Sequence, residues 1–373
     1  EWFFWGEFTA RFNFIAVDYL VYTREVLNNI WESYAVVPLL AATLVAALLL
    51  WALFLRRALA HSFESTSTTR GRLSTAAVFV AVPLACFVAS GSQLPRVAED
   101  RFANELAANG LYNLFSAFRN NQLDYAPFYV TEGTNEASQE LRRLLAEPTA
   151  TFASDDPMNL TREVHAARPE RRLNVVLIVV ESLSAKFLGS FGSPDGLTPN
   201  LDRLAGEGLL FSNLRATGTR TVRGLEAVSL SVPPTPGYSI VKRPNNSNLF
   251  SIGSVFRERG YHARFFYGGN AFFDNMGAFF GGNGFDVIDQ GELAPDESEF
   301  ANAWGAADEF VFRRVLREAN RSYEKNERFL SLVMTTSNHR PFTYPDGRID
   351  IASGESRAGA VKYTDFAIGQ LID

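Results

Sequence analysis

Two uncharged apolar runs stand out in the early part of the chain, residues 35–55 and 73–94, and each is near the length a bilayer crossing requires. The first ends at Arg56-Arg57, and the second has a polar Ser/Gly/Gln end that shortens its spanning part. Both read as transmembrane helices, making 35–94 a membrane region with a connecting loop at 56–72. That loop carries Arg56, Arg57, Arg70 and Arg72 against Glu64, so the positive-inside rule predicts it to be cytoplasmic. Residues 1–34 and everything after about residue 95 then lie outside. An even number of spans with both ends outside needs an upstream span, and the chain opens on Glu1, so an absent amino-terminal segment is expected.

Residues 1–34 mix Trp2, Phe3, Phe4, Trp5, Phe8, Phe12, Phe14, Tyr19, Tyr22 and Trp31 with charges. The mixture predicts interfacial helices with aromatic rings at headgroup level; a fragment of soluble core is the alternative. Residues 95–170 read as juxtamembrane helices and a linker. Within them, 105–118 has helical spacing of apolar positions, whereas 131–170 is charged and loop-rich, with His165 taken as solvated.

From residue 171 strands and helices alternate. The run Leu173 to Val180 is apolar and β-branched, which predicts a strand buried on both faces. Thr198-Pro199 opens a helix, 209–214 reads as a short strand, and 249–259 is an amphipathic helix ended by Gly260. A strand over 262–267, a helix over 307–323 and a strand over 329–335 follow. The fold class is α/β, a sheet flanked by helices preceded by helical membrane spans, with 171–373 as one domain.

Polar residues gather at the predicted strand ends. Glu181 closes the first strand, Gly268-Gly269-Asn270 follows the second, and Ser337-Asn338-His339-Arg340-Pro341 follows the third. Thr221 lies in Gly218-Thr219-Arg220-Thr221-Val222-Arg223-Gly224, a turn that opens a helix. Open α/β sheets bind ligands at the carboxyl ends of their strands. A carboxylate and a hydroxyl placed there can share a hard divalent cation, which lowers the hydroxyl pKa and makes it a nucleophile toward a phosphorus ester. Taken singly, Glu181 also fits a surface acid or helix cap, Thr221 fits a cap, and a histidine after a strand is often structural.

Composition narrows the classes. The chain has 373 residues, 47% of them hydrophobic, with 32 Phe, which suits membrane helices joined to a water-soluble domain. A net charge of −6 argues against a nucleic-acid partner. Cys86 is the one cysteine, so neither an intrachain disulfide nor a cysteine zinc site is possible.

Asn174 to Ser182, Thr198-Pro199-Asn200-Leu201-Asp202, Gly218-Thr219-Arg220-Thr221, Tyr267-Gly268-Gly269 and Ser337-Asn338-His339-Arg340-Pro341-Phe342 occur in this order. Together they resemble the lipoteichoic acid synthase type of membrane phosphoglycerol transferase, within the alkaline phosphatase/sulfatase superfamily. The resemblance implies that Glu181 ligates a manganese or magnesium ion. It makes Thr221 both a metal ligand and the covalent nucleophile, and His339 a substrate-site residue. Arg220 and Arg223, with Tyr267, Asn270 and Asn275, are the further substrate-binding candidates. An Asp-His pair that completes the metal site in that family has no counterpart up to Asp373, so the remaining ligands are expected beyond it. Where the lipoteichoic acid enzymes carry His and Trp-Asn-Arg, this sequence has Tyr267 to Asn275 without the Arg, which points to another glycan or polymer acceptor, such as a periplasmic glucan. Sulfatases convert a Cys or Ser to an aldehyde hydrate, which Thr221 cannot become.

The resemblance thus implies a membrane enzyme of the bacterial inner membrane, its catalytic domain on the periplasmic side. It would move a phospholipid headgroup, phosphoglycerol from phosphatidylglycerol, through Thr221 to an acceptor hydroxyl. Alternatives are phosphoethanolamine transfer, phosphodiester hydrolysis, and a non-catalytic relative that binds lipid headgroups or glycans.

Overall fold

Apolar strands that alternate with amphipathic helices bury both faces of a sheet most simply when the sheet is parallel and helices cover each side. The computed structural model has this architecture; it describes residues 1–21, 23–57, 60, 68–89, 100–119, 132–165, 168–233, 235 and 237–373. The chain divides into two units, Glu1–Asn121 and Gln122–Asp373.

In the second unit the strands are β1 (Ala150–Phe152), β2 (Arg162–Val164), β3 (Val175–Val179), β4 (Tyr261–Tyr267), β5 (Asp286–Ile288), β6 (Ala301–Asn302), β7 (Gly305–Ala306) and β8 (Arg328–Met334). The main sheet runs β3-β8-β4-β5 and every pair is parallel. Val179 pairs with Met334 and Met334 with Tyr267, so three strands end level with one another. The loops leaving them share one edge of the sheet.

Period-two alternation sends successive side chains to opposite faces. Leu330 and Leu332 of β8 join Ala263 and Phe265 of β4, packing on Leu225 of helix Thr221–Leu230 and on Phe279 and Phe280 of helix Met276–Gly282. Val333 and Phe266 face the other way, against Phe310 and Val315 of helix Asp308–Glu324 and Tyr363 and Ala367 of helix Arg357–Ile372. Phe265 and Phe280 stack with ring centroids 3.8 Å apart. Each buried Phe of this kind contributes roughly 1.5–3 kcal/mol of apolar transfer energy.

The sequence and the structure differ at several points. The strand expected to be buried on both faces, β3, lies at the sheet edge among the described residues, and Val176 is 42% exposed. Residues 209–214 form no strand, and Leu209 and Leu214 are exposed; among the described residues no strand takes up their backbone groups. Residues 131–170, expected as a linker, carry helix Thr134–Leu145 and the antiparallel pair β1–β2. Arg142 holds that region together by donating to the carbonyls of Ser154, Asp156 and Asn159. His165 is exposed, as expected, but its Nε2 lies 3.1 Å from Thr151 Oγ1.

The first unit is helical. Trp2–Phe8, Phe14–Val21 and Thr23–Ser33 occupy the aromatic segment, where Phe4, Ile15 and Ala16 form a small buried cluster. Trp2, Leu20, Leu27 and Trp31 remain exposed. The single helix expected over 105–118 is two, Arg101–Ala107 and Gly110–Arg119. Asn109 explains the break, since its Oδ1 accepts Tyr112 N at 3.0 Å and starts a new helix.

Val36–Leu50 continues through a π-turn, Trp51–Leu55, and Val36–Leu55 is long and apolar enough to cross a membrane. No other helix among the described residues meets that measure. The second expected span is a helix, Thr69–Ala89, with Arg70 and Arg72 in its first turn and Pro83 inside it; residues 90–94 lie outside the described residues.

Candidate active site at the strand ends

Thr221 is the first residue of its helix, and Arg220 is the N-cap in extended conformation. Helix starts present backbone N–H groups and a positive dipole end. The Thr221 hydroxyl donates to Glu181 Oε2 at 2.8 Å, although 40 residues separate them. Glu181 Oε1 accepts the Ser182 hydroxyl at 2.6 Å. Both Glu181 and Thr221 are half-buried.

The loop after β8 fixes the backbone of Glu181. Thr335 Oγ1 accepts Glu181 N at 2.9 Å, and Asn338 Nδ2 donates to Glu181 O at 2.9 Å. Asn338 Oδ1 is buried with no hydrogen-bond partner among the described residues, an atom of the kind that bound water or ligand satisfies. His339 is therefore carried on a loop bonded directly to Glu181.

Asp308 holds that loop from the other side. Its Oδ1 accepts Thr336 N at 2.8 Å and Ser337 N at 3.1 Å, and its Oδ2 accepts the Thr364 hydroxyl at 2.9 Å. Ser337 Oγ in turn accepts Asp308 N at 3.0 Å. Burial pushes the Asp308 carboxyl above its ordinary range, more strongly than these hydrogen bonds pull it down. Asp202 fastens the turns that follow Glu181 by accepting Gly189 N and Ser190 N. There burial acts upward, but the hydrogen bonds from Ser190, Thr198 and Gly189 outweigh it and the carboxyl is lowered.

The loop after β4 crosses the β6–β7 hairpin closely. A Cβ on Gly305, whose φ is +121°, would stand 2.1 Å from Gly268 O. Glycine is required on steric and conformational grounds alike. This crossing brings Trp304 beside His339, with ring centroids 4.0 Å apart.

The other expected substrate residues fall into two groups. Arg223 binds Glu226 Oε1 at 2.9 Å and also donates to the Gly237 carbonyl, so its guanidinium is engaged within the helix and its neighbouring loop. Tyr267 is buried in the core with Leu225 and Phe265, and Asn275 Nδ2 donates to Val241 O at 2.8 Å. Asn270 is exposed at the strand end, and Arg220 is half-buried beside Thr221.

Sequence reasoning missed Asp308, Trp304 and Arg357. Arg357 is exposed and donates to Ser182 O at 2.9 Å, placing a cation one residue from Glu181. An acid at the start of the predicted 307–323 helix was the visible signal for Asp308; nothing local marked Arg357.

The donor set at the centre is two oxygens, one of them anionic, 2.8 Å apart. Such a pair fits part of the oxygen shell of a hard cation. Among the described residues no group of three or more His, Cys, Asp and Glu is arranged to hold a metal.

Residues 173–373 match the sulfatase family. A phosphoglycerol transferase I from Xanthomonas campestris pv. campestris (strain B100) is 26% identical over 223 residues, covering 54% of this chain and 31% of the relative. One from Escherichia coli O127:H6 is 26% identical over 220 residues, 56% of this chain and 29% of the relative. The chain thus spans about three-tenths of the length of these curated relatives. A crystal structure of a Vibrio parahaemolyticus protein in the alkaline phosphatase superfamily superposes with a TM-score of 0.56 at 37% identity, covering 65% of this chain and 59% of that one.

Proposed function

The chain belongs to the sulfatase family, and we propose that it is a membrane-anchored phosphotransferase working through a covalent Thr221 intermediate. The observation that carries this reading is the 2.8 Å hydrogen bond from the Thr221 hydroxyl to Glu181 at the start of a helix. Relatives named phosphoglycerol transferase support phosphoglycerol as the group moved.

In this reading Glu181 accepts the hydroxyl proton and keeps Thr221 Oγ aimed into the site. Oγ forms a bond to the phosphorus of a phospholipid while the bond from phosphorus to the diacylglycerol oxygen breaks, and that oxygen leaves with the proton Glu181 took. A glycan or polymer hydroxyl then attacks the same phosphorus as the bond to Oγ breaks, and its proton returns to Oγ by way of Glu181. The helix start and the Arg220 and Arg357 guanidinium groups offset the negative charge that builds on the phosphoryl oxygens. Glu181 and Thr221 would also hold a manganese or magnesium ion, which supplies Lewis-acid stabilisation of that charge when bound.

Asn270 and His339 contribute contacts to the headgroup or acceptor, while Tyr267, Asn275 and Arg223 set the shape of the cleft. Val36–Leu55 anchors the protein in the bacterial inner membrane, with the catalytic unit on the periplasmic side. An anchored domain meets a lipid donor at high effective concentration. The direct test is headgroup transfer from vesicles holding labelled phosphatidylglycerol or phosphatidylethanolamine, with product analysis. Transfer of glycerol phosphate supports the reading. Exclusive use of phosphatidylethanolamine changes the donor, and release of free headgroup alone makes the protein a hydrolase.

A further inference from the structure

Trp304 and His339 share one acceptor. The Arg340 carbonyl takes Trp304 Nε1–H at 2.6 Å and lies 3.0 Å from His339 Nδ1. A carbonyl oxygen only accepts, so Nδ1 carries the hydrogen in this arrangement. Neutral imidazole then leaves Nε2 as a bare acceptor. Among the described residues Nε2 has no hydrogen-bond partner, and the ring is half-buried.

Trp304 is itself held firmly. It is 8% exposed, its backbone N donates to Asn302 Oδ1 at 2.9 Å, and Phe273 meets its ring edge-on with centroids 5.6 Å apart. Its indole packs against the imidazole at an interplanar angle of 44°. The ring plane of His339 and the carbonyl that reads its Nδ1 are thus set by a single side chain on the β6–β7 hairpin.

We propose that Trp304 is a positioning residue that holds His339 as the Nδ1–H tautomer and presents Nε2 to a substrate hydroxyl. A bare nitrogen and a phosphoryl oxygen are both acceptors and do not pair. In its neutral form His339 therefore addresses an O–H group, on the glycerol headgroup or on the incoming acceptor, and not the phosphate itself. The use of Nε2 rests on the transferase reading above; the tautomer does not.

The test is 15N NMR of the whole chain in detergent micelles, labelled at histidine and recorded above the imidazole titration range. The chain has 4 histidines, and His339→Gln assigns the resonance. The expected spectrum shows hydrogen on Nδ1 and a bare Nε2; hydrogen on Nε2 overturns the proposal. Trp304→Phe keeps an aromatic ring and removes the donor. It should turn the single tautomer into a mixture and lower kcat by up to about 10²-fold, as misplacement of a substrate-contacting group does. An unchanged tautomer in that variant removes Trp304 from the role. If the variant does not fold, the wild-type spectrum still decides the tautomer. A wild type with the expected tautomer that transfers no headgroup refutes the proposed function and leaves the positioning device standing.

Discussion

Asp308 accepts the backbone N–H of Thr336 at 2.8 Å, and this bond helps couple the start of helix Asp308–Glu324 to the loop that carries His339. The same carboxylate takes Ser337 N and the Thr364 hydroxyl. Asp308→Ala should leave buried donors unsatisfied and cost about 2–4 kcal/mol. Thermal melts of the whole chain in detergent check this; an unchanged melting temperature would remove Asp308 from the supporting network.

The pH dependence of this residue has a definite sign. Burial raises the folded-state pKa of Asp308 above its unfolded value. Its contribution is therefore fully present below the unfolded value of about 3.9 and is lost as pH rises through the raised folded pKa. Asp308→Asn, which cannot ionise, should gain stability relative to wild type as pH increases over that window. The stability difference between the two proteins, measured at several pH values, should not stay constant or fall.

Asp365 joins two segments distant in sequence. It accepts Leu201 N at 2.8 Å and both the backbone and side-chain nitrogens of Asn200 at 3.0 Å. Asp365→Ala should release the first turn of helix Pro199–Glu207 and destabilise the domain by about 2–3 kcal/mol. Hydrogen exchange at Asn200 and Leu201 should accelerate; protection equal to wild type would contradict the assignment.

Much of this was legible in the sequence because the signals were periodic or chemical. The β4 and β8 strands have apolar runs of strand length, and helix Asp308–Glu324 has a charged face and a buried one. Glu181 and Thr221 were legible because a carboxylate and a hydroxyl at strand and helix ends have a chemical use together. Residues 209–214 look like a strand in sequence, but pairing is a tertiary property and among the described residues no strand pairs with them. The β1–β2 pair was illegible because Arg142 acts through three backbone carbonyls, which leave no pattern in sequence. Arg223, Tyr267 and Asn275 stood near the expected site in the chain, yet Glu226, the core and Val241 claim their side chains. Trp304 was hidden because its partner is a backbone oxygen 36 residues away.

The arginines of residues 56–72 predict a membrane orientation with that loop inside. A reporter fused after Thr68 should be active only in the cytoplasm, and one fused near Glu132 only outside. Cytoplasmic activity at Glu132 would reverse the orientation and deny the catalytic unit access to outer-leaflet lipid.

Glu181→Gln keeps the size of the side chain and removes its charge. In the whole protein it should weaken manganese or magnesium binding and abolish turnover while the fold persists, because an oxygen-liganded cation loses its anionic ligand. Calorimetric metal affinity equal to wild type would reduce Glu181 to a hydrogen-bond acceptor for Thr221 and Ser182 alone.

The central claim is that Thr221 carries the transferred group, and intact-mass spectrometry after incubation with phosphatidylglycerol vesicles tests it most directly. The account predicts a glycerol phosphate adduct that maps to Thr221, absent from Thr221→Ala, with turnover lost in that variant and partly retained in Thr221→Ser. A Thr221→Ala protein that turns over normally, with no adduct on the wild type, would contradict it.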